Sequence, residues 1–204
     1  ARDAPRHIVH HQRRASGLAL AEVVDRGSID APDLRLLVRG AGGNAAVRRE
    51  VARALRRLLG LDIDPAPLHA RAAGEPAIRA AAHALRGLRP PRFASLFEAF
   101  ASVVPFQQVS LDAGVAVVGR LVEKFGASVE HGGESHRAFP AAAVIAAARP
   151  AALRACGLSM QKAGTLQAVA AGITREELHE GQLESLATPA AIAHLTALKG
   201  VGPW

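Results

Sequence analysis

The sequence predicts a mainly α-helical protein in which a small, partial α+β region precedes a larger multi-helix domain. Half of the 204 residues are hydrophobic but only 3% are aromatic, so alanine, valine and leucine must fill the core, which favours closely packed helices over a β-sandwich. Helical patterns separated by glycine and proline dominate after Arg92, and the pattern before Gly43 is the least helical. The chain ends in a helical stretch that runs into two closely spaced glycines.

The first part of the chain carries short apolar stretches divided by glycine and proline. Residues 34–39 fit a short strand that ends at the glycine-rich turn of residues 40–43. The earlier stretches, residues 8–9 and 18–24, fit either strands or one poor helix. No carboxylate or cysteine is arranged around the histidines near the start, so we expect no metal site at His7, His10 and His11.

A helix is predicted to begin after Asn44, as its N-cap, and to continue through Leu59. Its core stripe has apolar residues at i, i+4, i+8 and i+11, namely Val47, Val51, Leu55 and Leu58. Arginines occupy the remaining positions, and we expect them to form a solvated face rather than a DNA surface. Two further short helices are predicted over residues 67–71 and 76–85.

A linker then divides the chain into two predicted domains. Residues 88–92 contain consecutive prolines, which cannot continue a helix. Residues 1–88 are predicted to form the small α+β domain and residues 89–204 the helical domain. We expect each domain to be incomplete, the first at its start and the second at its end.

The second domain is predicted to consist of many short helices around one longer helix. An apolar stripe interrupted by Pro105 opens it, with Phe93, Phe97, Phe100 and Val104. The long helix covers residues 110–126, and its predicted apolar face is Val115, Val118, Val122 and Phe125. After a loop at Gly132 and Gly133, shorter helices are predicted over residues 140–148, 150–156, 159–171 and 176–180.

The last helical stretch, residues 189–198, runs into Gly200, Val201 and Gly202, and Pro203 suits the first position of another helix. The predicted motif is a helix, a tight turn and a second helix, whose backbone amides form a small anion-binding concavity. The formal net charge of +7 favours a nucleic-acid phosphate as the anion. Because nearly all the basic residues are arginine, compositional bias is an alternative source of that charge.

Composition also excludes several classes of protein. Cys156 is the only cysteine, which excludes a disulfide framework, a zinc ribbon and a protein-only iron–sulfur site, and we expect it to be a buried core residue. No apolar run reaches the length of a membrane span, and the first residues do not resemble a signal peptide. We therefore expect a cytoplasmic protein.

Several short motifs follow one another in the order and spacing of a known family. They are Phe97-Glu98, Gln107-Gln108-Val109-Ser110, Phe139-Pro140, Gly157-Leu158, Lys162-Ala163 and the terminal Leu198-Lys199-Gly200-Val201-Gly202-Pro203-Trp204. Over residues 89–204 the chain resembles the helix-hairpin-helix DNA glycosylases, specifically their alkyladenine branch, DNA-3-methyladenine glycosylase II. The resemblance implies a multi-helix DNA-glycosylase domain with its helix-hairpin-helix motif at the C-terminal end.

The resemblance implies that the terminal turn binds DNA. Gly200, Val201 and Gly202 would present backbone amides to a phosphate, in agreement with the anion site predicted above. Lys199 precedes the glycines, and we expect it to contact phosphate or solvent. Trp204 stands where bifunctional relatives carry a Schiff-base lysine, and its ring is implied to line the pocket for the damaged base. The chain therefore resembles the monofunctional glycosylases, which lack lyase activity.

The motif around Gln108 is implied to open the duplex. Gln108 matches the side chain that fills the gap left when the damaged nucleotide is flipped out, and Gln107 would support that loop. Phe106 departs from the family pattern, because it replaces a small glycine. From the residues alone, an alternative is that Gln107 and Gln108 only terminate the helix after Pro105.

The aspartate that is essential in the family has no match in this chain. We expect it beyond Trp204, because Asp112 and Glu123 lie on the upstream helix and match no motif. No catalytic residue is therefore assigned within residues 1–204. We expect this stretch alone to be inactive and to bind DNA poorly.

The implied reaction is hydrolysis of the N-glycosidic bond of alkylated purines such as 3-methyladenine in double-stranded DNA. No metal or organic cofactor is implied. We expect a monomer in the bacterial cytoplasm, associated with the nucleoid and not with a membrane. Two alternatives stay open: a non-catalytic helix-hairpin-helix DNA-binding module, and a fragment that another chain completes.

Overall fold

The structure is a computed structural model, and it describes residues 6–13, 17–29, 31–40, 45–90 and 92–202. Within these residues lie ten α-helices and five β-strands, so the prediction of a mainly helical protein is confirmed. The chain divides into two compact units, Ala1–Ala94 and Ser95–Trp204. No helix in the described part of the chain is long and apolar enough to cross a membrane.

The first unit contains an antiparallel sheet in the order β1-β2-β3. Its strands are Arg6–Arg13 (β1), Gly17–Asp25 (β2) and Leu34–Gly40 (β3), so the early apolar stretches form strands and not a helix. Residues that alternate along a strand share one face. The apolar face of β2 packs into a core built from Ala19, Ala21, Val23, Val47, Val51 and Leu55.

Helix α1, Ala45–Leu58, supplies the other half of this core. Its predicted stripe is confirmed, because Val47, Val51 and Leu55 are buried and Leu58 packs against them. The predicted cap, Asn44, lies outside the described residues. Two of its arginines have local partners: Arg56 binds the Asp62 carboxylate at 2.6 Å, and Arg57 donates to the Phe93 carbonyl at 3.1 Å.

Two short helices complete the first unit, and the second unit follows. The first unit's helices are Ala66–Ala73 (α2) and Pro76–Ala84 (α3). The second unit has seven helices within its described residues: Leu96–Val103 (α4), Leu111–Phe125 (α5), Ala142–Ala146 (α6), Pro150–Arg154 (α7), Met160–Thr174 (α8), Glu180–Ser185 (α9) and Thr188–Thr196 (α10).

Helix α8 lies at the centre of the second unit. Its buried residues are distributed around the helix instead of forming one stripe, as is typical of a helix surrounded by others. They are Ala163, Thr165, Leu166, Val169, Ala170 and Gly172. Phe97 and Phe100 of α4, Leu121 of α5 and Leu153 of α7 belong to the same core.

The predicted apolar face of α5 is confirmed in part. Phe125 packs against the core and Val118 and Val122 are half-buried, but Val115 is 57% exposed, and the buried residues are Gly114, Val117 and Leu121. The reason is a contact that periodicity does not reveal, because a Cβ atom on Gly114 would overlap the Phe106 ring. The helix is therefore rotated so that its smallest residue faces the ring.

The predicted loop at Gly132 and Gly133 is confirmed, and it is the turn of a β-hairpin that was not predicted, Ser128–His131 (β4) and Glu134–Arg137 (β5). The helix predicted over residues 176–180 is wrong, because α8 continues to Thr174, Glu176 then takes a φ of 62°, and helix α9 begins only at Glu180.

Candidate nucleic-acid interface

The Gln107–Gln108 motif lies in a short loop held between two helix ends. Helix α4 ends at Val103, and a single 3-10 turn, Val104–Phe106, follows because Pro105 has no amide to continue the α-helix. On the far side of the loop, the Ser110 hydroxyl accepts a hydrogen bond from the Ala113 amide at 3.3 Å and caps α5. Val104 and Pro105 are buried, so the base of the loop belongs to the core.

Gln108 has an unusual backbone conformation at the exposed tip of this loop. Its φ is 54°, in the left-handed region that non-glycine residues occupy at a cost of about 1–2 kcal/mol. Gln107, before it, is half-buried with a φ of −60° and a ψ of 126°. The chain therefore turns sharply at Gln108 and presents its side chain to solvent.

Lys162 of α8 holds the base of the same loop. Its Nζ atom donates hydrogen bonds to the Pro105 carbonyl at 3.0 Å and to the Gln107 carbonyl at 2.6 Å. The start of α8 is in turn capped by the Ser159 hydroxyl, which accepts from the Lys162 amide at 3.2 Å. Hydrogen bonds from a charged donor are stronger than neutral ones, so the loop is tied firmly to α8.

Phe106 adds a packing contact to this attachment. Its ring lies against the bare backbone of Gly114, where any side chain would collide with it. The bulky Phe106 ring therefore fits because Gly114, on the following helix α5, has no side chain.

The terminal turn follows α10 and is built on glycine. Gly200 has a φ of 86°, and the Val201 amide donates to the Leu198 carbonyl at 3.0 Å. Leu198 and Val201 pack against the hydrophobic core of the second unit, so Val201 anchors the turn with both its amide and its side chain. Lys199 lies exposed beside the glycine.

Helix α8 also lies against this turn. A Cβ atom on Gly200 would overlap the side chain of Thr165, which is 5% exposed and donates its hydroxyl to the Gln161 carbonyl at 3.1 Å. Gly200 is therefore required both for its φ and for the close approach of the Thr165 side chain to its backbone. The loop at Gln108 and the turn at Gly200 therefore both lie against helix α8.

Two further predictions, the base-pocket role of Trp204 and the burial of Cys156, have different outcomes. Pro203 and Trp204 lie outside the described residues, so the base-pocket role of Trp204 stays a prediction. Cys156 is buried at 1% exposure, and its thiol donates to the Ala152 carbonyl at 3.5 Å. Burial raises the pKa of the Cys156 thiol, and the nearby charges of Lys124 and Arg120 oppose this rise in part. The raised pKa favours a neutral thiol, as expected of the core residue that was predicted.

Lys162 holds the loop of the candidate site, and sequence reasoning did not identify it. It belongs to the Lys162-Ala163 motif, but nothing in the sequence assigned it a role. The sequence contained one indication of its importance, because Lys162 is one of only three lysines in a chain whose Lys and Arg residues are otherwise all arginine. In the described residues, no group of three or more His, Cys, Asp or Glu side chains is arranged to hold a metal ion.

Comparisons with known proteins give consistent matches. Residues 101–199 match the family described as HhH-GPD superfamily base excision DNA repair protein. A DNA-3-methyladenine glycosylase of Bacillus subtilis is 28% identical over 157 residues, which are 77% of this chain and 52% of that protein. A "probable bifunctional transcriptional activator/DNA repair enzyme AlkA" of Mycobacterium tuberculosis is 33% identical over 152 residues, which are 73% of this chain and 29% of that protein.

Among solved structures, a 3-methyladenine DNA-glycosylase from Archaeoglobus fulgidus superposes with a TM-score of 0.81 at 24% identity. The match covers 97% of this chain and 64% of that one, and it establishes the fold. The chain spans about half of the length of the Bacillus relative and less than a third of the Mycobacterium one.

Proposed function

Because residues 101–199 form an HhH-GPD superfamily domain, we propose that the protein is a base-excision repair glycosylase acting on alkylated purines in double-stranded DNA. The observation that carries the proposal is that two segments lie against helix α8. One is the loop of the exposed Gln108, whose φ is 54°, and the other is the glycine turn at Gly200. The names of the relatives supply the substrate class, with 3-methyladenine as its representative.

The turn at Gly200 would hold the DNA backbone. Its amides, together with the exposed Lys199, offer a phosphate both hydrogen-bond donors and a positive charge. A net charge of +7 on the chain supports this role, since phosphate contacts supply most of the affinity of non-specific DNA binding. Gly202 continues this surface, and Val201 holds it in place through the core.

The loop at Gln108 would act on the base stack. An enzyme that cuts a glycosidic bond must take the target nucleotide out of the duplex, and the vacated space costs stacking energy. The Gln108 side chain, supported by Gln107, would enter that space and hydrogen-bond to the opposite base. A loop fixed in advance makes this insertion less costly, because little ordering remains to be done on binding.

The chemical step would be hydrolysis without lyase activity. The bond between the deoxyribose C1′ and the purine nitrogen breaks, and the base leaves with the electron pair. Water adds its oxygen to C1′ and releases a proton to solvent. Trp204 is proposed to stack on the electron-poor alkylated base, and the aspartate expected beyond Trp204 to stabilise the sugar cation. We propose that the protein acts as a monomer, without a cofactor, on the bacterial nucleoid.

The test is base release by the full product of the gene, acting on a duplex with a single 3-methyladenine or 7-methylguanine. We expect free alkylated base in the supernatant and an intact DNA strand that breaks only after alkali. Borohydride added during turnover should trap no covalent protein–DNA adduct. Duplex binding without base release would contradict the enzyme and favour a non-catalytic DNA-binding module, whereas a trapped adduct would contradict the monofunctional mechanism.

A further inference from the structure

We propose that Lys162 is a positioning residue for nucleotide flipping. Its ammonium group holds the loop before Gln108 in the conformation that the glutamine needs to enter the duplex. Helix α8 thereby sets the spacing between that loop and the turn at Gly200. This inference rests on the proposed function and concerns how the two DNA-contacting segments are held.

Electrostatic attraction favours the contact between Lys162 and the loop. The last turn of α4 contains no basic residue, and carbonyl groups at the end of a helix carry partial negative charge. Lys162 brings a cation to this point from another helix, with hydrogen bonds of 3.0 Å to the Pro105 carbonyl and 2.6 Å to the Gln107 carbonyl. Two of its three N–H donors are therefore used on backbone atoms of the loop.

The contact between Lys162 and the Gln107 carbonyl also constrains Gln108. The carbonyl oxygen of Gln107 and the amide nitrogen of Gln108 belong to one planar peptide group. Holding the oxygen therefore fixes the direction in which the chain enters Gln108, whose φ is 54°. A non-glycine residue persists in this region only where its surroundings impose it, and the Lys162 hydrogen bonds are the nearest such constraint.

The residues that contact the loop and the turn, Lys162 and Thr165, lie on the same helix. Thr165 lies three residues after Lys162 on the same side of α8, and it is the residue that Gly200 contacts. Ala163, Leu166 and Val169 of this helix are each 1% exposed, so α8 is locked in the core. The loop and the turn are then both attached to one rigid helix, which suits two segments that must contact a single duplex together.

The test compares Lys162→Met and Lys162→Arg with the unmodified protein, using the full gene product. Affinity is measured by fluorescence anisotropy for a duplex with a tetrahydrofuran abasic site and for the same duplex undamaged. Lys162→Met should bind the abasic duplex about tenfold more weakly, since it removes two hydrogen bonds from a charged donor. Binding to the undamaged duplex should change by less than about twofold, and Lys162→Arg should recover part of the loss.

Two controls separate positioning through Gln108 from a general effect of the lost charge. Lys124→Met removes the same charge from an exposed lysine of α5 and should leave the preference for the abasic duplex unchanged. Lys162→Met combined with Gln108→Ala should bind no more weakly than Lys162→Met alone, because the lysine acts through the glutamine. Without DNA, the intraresidue HN–Hα NOE of Gln108, which is strong at a positive φ because the two protons lie close together, should weaken in Lys162→Met and report the lost backbone conformation.

The outcomes are distinct. If the unmodified protein binds both duplexes equally, the proposed function fails and the positioning role fails with it. If the unmodified protein prefers the abasic duplex and Lys162→Met keeps that preference, only the positioning role is overturned. An unchanged intraresidue HN–Hα NOE of Gln108 in Lys162→Met, or fully additive losses in the double variant, would also overturn it.

Discussion

The loop at Gln108 and the turn at Gly200 both lie against α8, but they are held there by different forces. Gly200 approaches so closely that the Thr165 side chain fills the place of its missing Cβ. The loop is tied to α8 by hydrogen bonds from Lys162 to two carbonyls. An element held by close packing is disrupted by added volume, whereas one held by a charged donor loses its shape without a clash.

The largest expected effect follows from adding volume at the turn. Gly200→Ala introduces a methyl group that overlaps Thr165 and places alanine at a φ of 86°, so it should lower the free energy of unfolding by about 3 kcal/mol. Denaturant unfolding of the protein measures the change. Gly164→Ala is the matched control, since its added methyl group meets nothing within 4 Å and replaces a helical glycine. An unaltered stability in Gly200→Ala would contradict the packing account.

The packing of Phe106, at the base of the loop, against Gly114 gives a smaller effect. Gly114→Ala should lower the free energy of unfolding by about 2 kcal/mol, because the new methyl group collides with the Phe106 ring. Gly119→Ala, on the same helix with nothing within 4 Å of the added atom, should not destabilise. In the Phe106→Ala background the Gly114→Ala penalty should largely vanish. Penalties that add in full would show that the ring is not the obstacle.

The difference between the two segments also explains what the sequence could predict. The turn is a local feature, because Gly200, Gly202 and the preceding helix stand next to one another in the chain. The loop depends on Lys162, which lies 55 residues away from Gln107, and no local pattern reveals that a lysine will reach those carbonyls. Long-range contacts of this kind are the part of a site that a single sequence hides.

The same distinction holds for the fold. The stripe of Val47, Val51 and Leu55 was predicted correctly, since periodicity alone determines which side of α1 is apolar. The face of α5 was predicted only in part, because the Phe106 ring lies against Gly114 and Val115 is exposed, whereas Phe125 packs against the core as predicted. Periodicity predicts that the most hydrophobic face of a helix is buried, but a close contact between two segments can bury a different face.

The most direct test of the account is the effect of Gln108→Ala on the preference for a duplex with an abasic site. In the full gene product this variant should bind the abasic duplex about tenfold more weakly and the undamaged duplex nearly as well as before, since only a gap in the stack uses the side chain. Gln182→Ala, on α9, serves as the matched control and should change neither affinity. Equal losses on both duplexes would contradict the account and leave Gln108 as a residue that merely ends a helix.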